Sequence, residues 1–195
     1  MNDPGLRERT RRAVRTEIAA VAMRLFLDRG FDRVTIDQVA AEAGVSRRSL
    51  FRYFDTKEDL VLGNLADSAE AVLAALEARP AGEDAWTALR AAFQVLVENP
   101  AFSADRTTRT WRMLRETPSL RARYLEKHLR MVDLLVPQVA RRLGVAPGGP
   151  PDPRPTAIVT SALACLDTAV EVWAASDGEQ RLEDLYDQAV AAVRS

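Results

Sequence analysis

Apolar residues return along this chain at steps of three and four, the spacing that lines one face of an α-helix. Val14, Ile18, Val21, Ala22, Leu25 and Phe26 make the first such stripe. Gly30 stands where a left-handed residue would close that helix, with Phe31 folding back as its hydrophobic partner. The next start is marked twice: Thr35 and Gln38 have the spacing of a capping box, and Val34 and Val39 that of a hydrophobic staple. Gly44 ends this short helix and Val45 is set to plug the turn. Ser46 is then the N-cap of a second short helix bearing Leu50, Phe51 and Phe54. Thr56, with Asp59 three residues on, opens a longer run from Lys57 to about Arg79.

Proline marks the remaining starts. Asn99–Pro100, Thr117–Pro118 and Asp152–Pro153 each read as an N-cap followed by Pro at the first helical position. They divide the rest of the chain into helices near 84–98, 100–116, 118–143, 153–176 and 179–194. Gly144 suits the end of the 118–143 helix, and Pro137 should kink it. The stretch "GVAPGGPPDPRP" is too rich in Pro and Gly for a helix interior and reads as a loop. The pattern predicts an all-α protein of about nine helices, with a three-helix N-terminal domain over residues 1–56 and a larger helical domain over 57–195.

Two short helices joined by a tight Gly turn follow the helix-turn-helix plan, whose second helix enters the DNA major groove by its N-terminal end. That plan accounts for an oddity. Arg47 and Arg48 occupy the first turn of the second helix, against the macrodipole, where Asp or Glu is favoured. Against phosphates and guanine edges the same two cations are well placed. The net charge of −1 conceals a matching asymmetry: residues 1–57 carry 12 Lys/Arg against 8 Asp/Glu, and residues 58–195 carry 15 against 20. A basic head on an acidic body fits a head that meets a polyanion.

Other features bear on compartment and chemistry. The single Cys165 cannot form an intramolecular disulfide and suits a reducing cytosol. The charged start "MNDPGLRERTRRAV" lacks the apolar core of a secretory signal, and no segment reads as the run of about 20 apolar residues that crosses a bilayer. The one histidine, His128, lies beside Lys127 on an expected helix surface. No His/Cys cluster has metal-ligand spacing, and no phosphate-binding loop or nucleophile elbow appears. The chain therefore reads as a cytoplasmic non-enzyme with no cofactor, metal or membrane partner.

The stretch Thr35–Leu60 resembles the DNA-binding head of the TetR (tetracycline-repressor-like) family. The resemblance rests on Gly30-Phe31, "TIDQVA", "AGVS", "LFRYF" and "KEDL", and extends over residues 10–62. It implies a homodimer with a helix-turn-helix head and a larger ligand-binding and dimerisation domain. Such a repressor would bind a palindromic double-stranded operator and leave it when a small effector binds. It also implies a set of DNA contacts. Thr35 and Ser46 lie at helix N-termini facing phosphates, and Arg47, Arg48 and Ser49 lie at base edges. Arg52 would reach a base or a phosphate, and Tyr53 and Lys57 the backbone. Phe51 departs from the Tyr usual in the family, so it is expected in the core or against a thymine methyl. Arg7, Arg9, Arg11, Arg12 and Arg15 either add contacts or form a solvated helix start.

In the C-terminal domain, Trp86, Phe93, Trp111, Met131, Cys165 and Trp173 are large apolar positions that pack the core singly and can wall a ligand cavity as a group. Residues 106–130 hold 8 Lys/Arg against 2 Asp/Glu, with Arg106, Arg109, Arg112 and Arg115 stepping by three. They form either a solvated face or a mouth in which Arg109 or Arg112 clamps an acidic group. The stretch "RETPSLRAR" also resembles C-terminal domains of actinobacterial TetR regulators, which implies an acyl-CoA-like or fatty-acid-like effector, mostly apolar with an anionic end. The last two helices are rich in alanine. Ala162, Ala169, Leu182, Leu185 and Tyr186 there serve either intrachain packing or, as the resemblance implies, a four-helix bundle with the partner subunit. Two other readings stay open: an effector-independent architectural DNA-binding dimer, and a helical small-molecule carrier without DNA binding.

Overall fold

The computed structural model describes residues 4–62, 65–97, 103–146 and 148–194, with side chains from residue 9 in the first segment and from residue 68 in the second. Among the described residues there are ten helices and no strand. In chain order they are α1 (Pro4–Arg29), α2 (Ile36–Glu42), α3 (Arg47–Phe51), α4 (Glu58–Leu62), α5 (Leu65–Glu77), α6 (Ala85–Val97), α7 (Ala104–Glu116), α8 (Pro118–Arg142), α9 (Arg154–Ala175) and α10 (Leu182–Arg194). The run expected over 57–79 is represented by α4 and α5. They fold into two compact units: residues 1–64 with 113–123, and residues 65–112 with 124–195.

In the first unit the short helices are held by side chains rather than by their own hydrogen bonds. Isolated helices under about 12–15 residues are marginal in water, and α3 has only 5. Leu50 is 0% exposed and Phe54 2%, among a core that includes Ile18, Ala22, Phe26, Val34 and Val39. The predicted caps form. Thr35 and Gln38 make the reciprocal capping box, at 2.8 Å from the Thr35 amide to Oε1 and 3.2 Å from the Gln38 amide to Oγ1. The Ser46 hydroxyl accepts from the Ser49 amide at 3.0 Å. Gly30 and Gly44 adopt φ of +86° and +65°, the left-handed conformation in which a Cβ is penalised.

Thr56 and Asp59 form a second reciprocal box ahead of α4, at 3.1 and 3.2 Å. Asp59 does more than cap. Its side chain is 6% exposed, and both oxygens accept from Arg123, at 3.2 Å from Nε and 3.1 Å from Nη2. This buried pair fastens the 113–123 segment to the rest of its unit.

In the second unit α9 packs against α10 and α6, and α5 against α6. The shared core includes Val72, Leu76, Leu89, Phe93, Leu135, Val139, Leu163 and Leu166. Arg142 holds the end of α5 and the turn after it, donating to the Leu76 carbonyl at 2.6 Å and the Pro80 carbonyl at 2.5 Å. Asp84 caps α6 by accepting from the Thr87 amide at 3.1 Å.

Three expectations are corrected. The N-cap position of α9 is Pro153 rather than Asp152, although the Asp152 carboxylate still accepts from the Arg154 amide at 2.9 Å and so meets one orphan donor. The helix expected from residue 100 is seen as α7 from Ala104, with the Ser103 carbonyl accepting from the Thr107 amide; the Asn99–Pro100 start lies outside the described residues. Finally, α9 is long and apolar enough by length and composition to cross a membrane, with a mean hydropathy of 1.5 over its best window. Its apolarity has a use within the fold, because Val159, Ala162, Leu163, Leu166 and Ala169 are buried in the core of the second unit.

The buried pair gives the first prediction. Asp59→Ala breaks this buried ion pair and removes the α4 cap, and should destabilise the protein by about 3–5 kcal/mol. Urea unfolding followed by circular dichroism reads this directly, and an unchanged midpoint would contradict the role assigned to the pair.

Candidate nucleic-acid interface and effector domain

The helix-turn-helix face is built from α2, the Gly44 turn and α3. Burying Leu50 turns the opposite side of α3 outward, so Arg47, Arg48 and Arg52 are exposed and Ser49 and Tyr53 half-buried. Thr35 and Ser46 are exposed at the capped starts of α2 and α3. These eight expected contacts therefore differ in availability once Lys57 is included. Arg48 is exposed and has no hydrogen bond or ion pair among the described residues. Arg47 instead reaches back to Asp37, with Nη1 at 3.0 Å from Oδ2, and lies 5.6 Å over the Phe51 ring. Phe51 is 41% exposed, so it belongs to this outer face and not to the core.

Lys57 is turned inward. Its ammonium donates to the Phe31 carbonyl at 2.5 Å and sits 4.2 Å from the Phe31 ring centroid. Burial lowers its pKa, with Asp32 and Glu58 working the other way. A cation so engaged closes the corner between α1 and α2. In α1, Arg9, Arg11 and Arg12 are exposed, whereas Arg15 lies 5.2 Å over the Phe54 ring and serves packing. The Arg7 side chain lies outside the described residues.

In the second unit the expected ligand-wall residues do not form one group. Phe93, Met131 and Cys165 are in the core, and Trp86 and Trp173 pack against it half-buried. Burial pushes the Cys165 thiol pKa up, which keeps it protonated and unreactive. Phe93 meets Tyr186 edge-on at 6.1 Å, while Trp86 lies under Arg194 at 5.7 Å. Trp111 meets Tyr124 edge-on at 5.5 Å. Arg109 is tied to Asp105 at 2.7 Å one turn away, and Arg112 is exposed without a partner among the described residues.

A polar cluster sits where the sequence suggested a plain surface. The Tyr124 hydroxyl donates to Asp167 at 2.6 Å, and His128 Nδ1 lies 3.5 Å from the other carboxylate oxygen. Lys127 is 7% exposed and the His128 side chain 20%, so both turn inward, correcting the surface expected for them. Burial pushes the Asp167 carboxyl up, partly offset by the Tyr124 hydrogen bond and by His128. The signal was present: Leu120, Tyr124, Lys127, Met131 and Leu135 share one helical stripe, and Asp167 interrupts the apolar run of α9.

The residues expected at a partner subunit are engaged within the chain itself. Ala162, Ala169, Leu182, Leu185 and Tyr186 are between 0% and 8% exposed within the single chain, because α9 and α10 turn these faces toward each other and toward α6. The outward residues of the pair include Ala164, Thr168, Val172 and Ala175 on α9, and Asp184, Gln188, Ala191 and Val193 on α10.

A capped, charge-bearing short helix on a helix-turn-helix frame, in one chain with a larger helical unit, defines a class of ligand-linked DNA-binding regulators. Residues 18–63 match the bacterial regulatory proteins of the tetR family and residues 83–195 match the MftR C-terminal domain. The chain belongs to the TetR family of bacterial transcriptional regulators. It is 35% identical over 150 residues to the HTH-type transcriptional regulator TcmR of Streptomyces glaucescens, a match that takes in 74% of this chain and 66% of that one. To MftR of Mycobacterium tuberculosis it is 29% identical over 159 residues, covering 80% of this chain and 77% of the relative. Its structure is similar to that of Thermus thermophilus FadR, a TetR-family repressor in complex with lauroyl-CoA, with a TM-score of 0.57, 27% identity and 91% of each chain covered.

The Arg47–Asp37 pair and the unpaired Arg48 predict opposite mutants. Arg48→Ala should lose specific affinity by about 1–3 kcal/mol, the worth of a good base contact. Asp37→Asn should free Arg47, strengthen binding to unrelated duplexes as well, and steepen the salt dependence by about one phosphate contact. Fluorescence anisotropy over a salt series measures both, and equal slopes for wild type and Asp37→Asn would rule out the competition between Asp37 and phosphate.

Proposed function

We propose that this protein is a cytoplasmic, homodimeric transcriptional repressor that binds a palindromic operator through α3 and is released by a small, mostly apolar effector. The observation that carries the proposal is the exposed cation set Arg47, Arg48 and Arg52 on and beside a capped helix whose other side is anchored by Leu50. Cations opposing a helix dipole are unfavourable in isolation and become favourable against DNA. Thr35, Ser46, Ser49 and Tyr53 would add phosphate and base-edge contacts around them. Lys57 would act by holding the head's geometry.

The effector reading is supported by the C-terminal domain match and by the lauroyl-CoA bound to FadR. An acyl chain would gain roughly 0.8 kcal/mol per buried methylene among the apolar side chains of the second unit. Arg112, exposed and unengaged, is better placed than Arg109 to meet an anionic end. Release requires that the effector favour the DNA-free conformation, since equal affinity for both states shifts nothing.

For the dimer, the available surface is the outward face of α9 and α10. Val172, 42% exposed, is its large apolar residue on α9. Leu185 would be a poor probe, because a charge there disrupts the subunit itself.

Two measurements test the proposal. A gel shift with DNA flanking the protein's own gene should give a specific complex that dissociates on adding lauroyl-CoA or a related acyl thioester; a complex indifferent to every such compound would favour the effector-independent reading. Val172→Glu should stay folded but sediment as a monomer with at least tenfold weaker operator binding, on the order of 1.4 kcal/mol. A dimeric, fully active Val172→Glu would move the interface elsewhere.

A further inference from the structure

Two leucines of α8 stand away from the core. Leu129 and Leu125, 64% and 54% exposed, are with Val193 of α10 the most exposed large apolar side chains among the described residues. Four positions apart, they are neighbours on one edge of the helix. The next turn continues that edge with Val132 and Val136, which pack half-buried against the core of the second unit. A lone exposed leucine needs no explanation, whereas neighbours on one edge begin an apolar patch.

The polar neighbour of the leucines fixes where the patch lies. His128, three residues from Leu125, is beside it on the helix surface. Its Nδ1 is 3.5 Å from Asp167 on α9. One exposed neighbour of Asp167 is Ala164, three residues earlier, where the outward face through Thr168, Val172 and Ala175 begins. The leucines and the outward face of α9 are therefore adjacent parts of one surface, with the contact between His128 and Asp167 at the seam. All of these residues belong to the second unit. On α9 and α10 that surface offers only Val172 and Val193 as large apolar side chains, among alanines, Thr168, Asp184 and Gln188. Homodimer interfaces are more apolar than ordinary surface, and a few large side chains carry most of their binding energy.

We propose that the edge of α8 bearing Leu125 and Leu129 docks a second copy of this chain, as one surface with the outward face of α9. The inference extends the dimer reading and shares with it the claim that the chain pairs with itself. Two half-exposed leucines supply the apolar area that the outward face of α9 and α10 is short of. A small molecule suits them poorly, because a convex helix edge lacks the concavity of a ligand site. On its solvent side the edge is bordered by exposed Glu126, Arg130 and Asp133. Charges of both signs form a rim that an identical partner meets without net repulsion.

Sedimentation velocity of the full-length protein over a dilution series tests this. The variants are Leu125→Ala with Leu129→Ala, the same pair changed to Glu, and Leu27→Glu as a control, since Leu27 lies on α1 in the first unit and is 38% exposed. Both α8 pairs should keep the wild-type circular dichroism spectrum. Self-association should weaken roughly tenfold or more in the alanine pair, and further in the glutamate pair. Leu27→Glu should associate as wild type does. Wild-type association in the folded alanine pair would overturn the proposal, as would an equal loss in Leu27→Glu. Val172→Glu in the same series separates the two claims. If it is monomeric while both α8 pairs dimerise normally, the α9–α10 dimer stands and the α8 edge is removed from it. If it stays dimeric while the α8 pairs dissociate, the α8 edge stands and the α9–α10 face falls. A wild type that is monomeric at micromolar concentration overturns both.

Discussion

The outward face of α3 hangs on the burial of Leu50. A helix of 5 residues has too few hydrogen bonds to stand alone, so α3 exists because Leu50 and the nearby Phe54 are buried at 0% and 2% exposure in a core shared with α1 and α2. The Ser46 cap supplies the start and the left-handed Gly44 the preceding turn. Once those anchors fix the rotation of α3, the outward direction of Arg47, Arg48 and Arg52 is no longer a choice. The same economy applies at the far end of the head, where Asp59 caps α4 and binds Arg123 in one buried arrangement.

Electrostatics then set how the face is held before DNA arrives. Arg47 leans on Asp37 and on the Phe51 ring, an arrangement at an exposed surface and therefore worth little. On the proposed function, a phosphate would replace Asp37 at small cost. Phe51 in place of the usual tyrosine gives up one hydroxyl and keeps the aromatic face over which Arg47 lies. The inward Lys57 shows the opposite arrangement, a cation withdrawn from the surface to satisfy the Phe31 carbonyl.

What could be read from the sequence was local. The Thr35 and Thr56 boxes, the Ser46 cap and the closing Gly30 each depend on residues within a few positions, and each formed as spaced. What could not be read depends on which helices meet. The break that Asp167 makes in the apolar run of α9 marks a buried polar position but not its partners, since Tyr124 and His128 arrive from α8 more than thirty positions earlier. The inward faces of Ala162, Leu185 and Tyr186 likewise depend on α6, α9 and α10 packing together, since an apolar stripe does not say whether its cover is the same chain or a second copy. The low exposure of Lys127 follows the same logic, because a long side chain on a leucine stripe goes where the stripe goes.

If two such heads read double-stranded DNA as a pair, each through its α3, the bound sequence must carry that symmetry. Selection of bound duplexes from a random-sequence pool by the full-length protein addresses this whatever the operator sequence is. The expected result is enrichment of an inverted repeat whose half-sites are centred about 34–36 Å apart, or a multiple of that. A pool that retains its starting composition after repeated rounds at moderate salt would contradict sequence reading by α3.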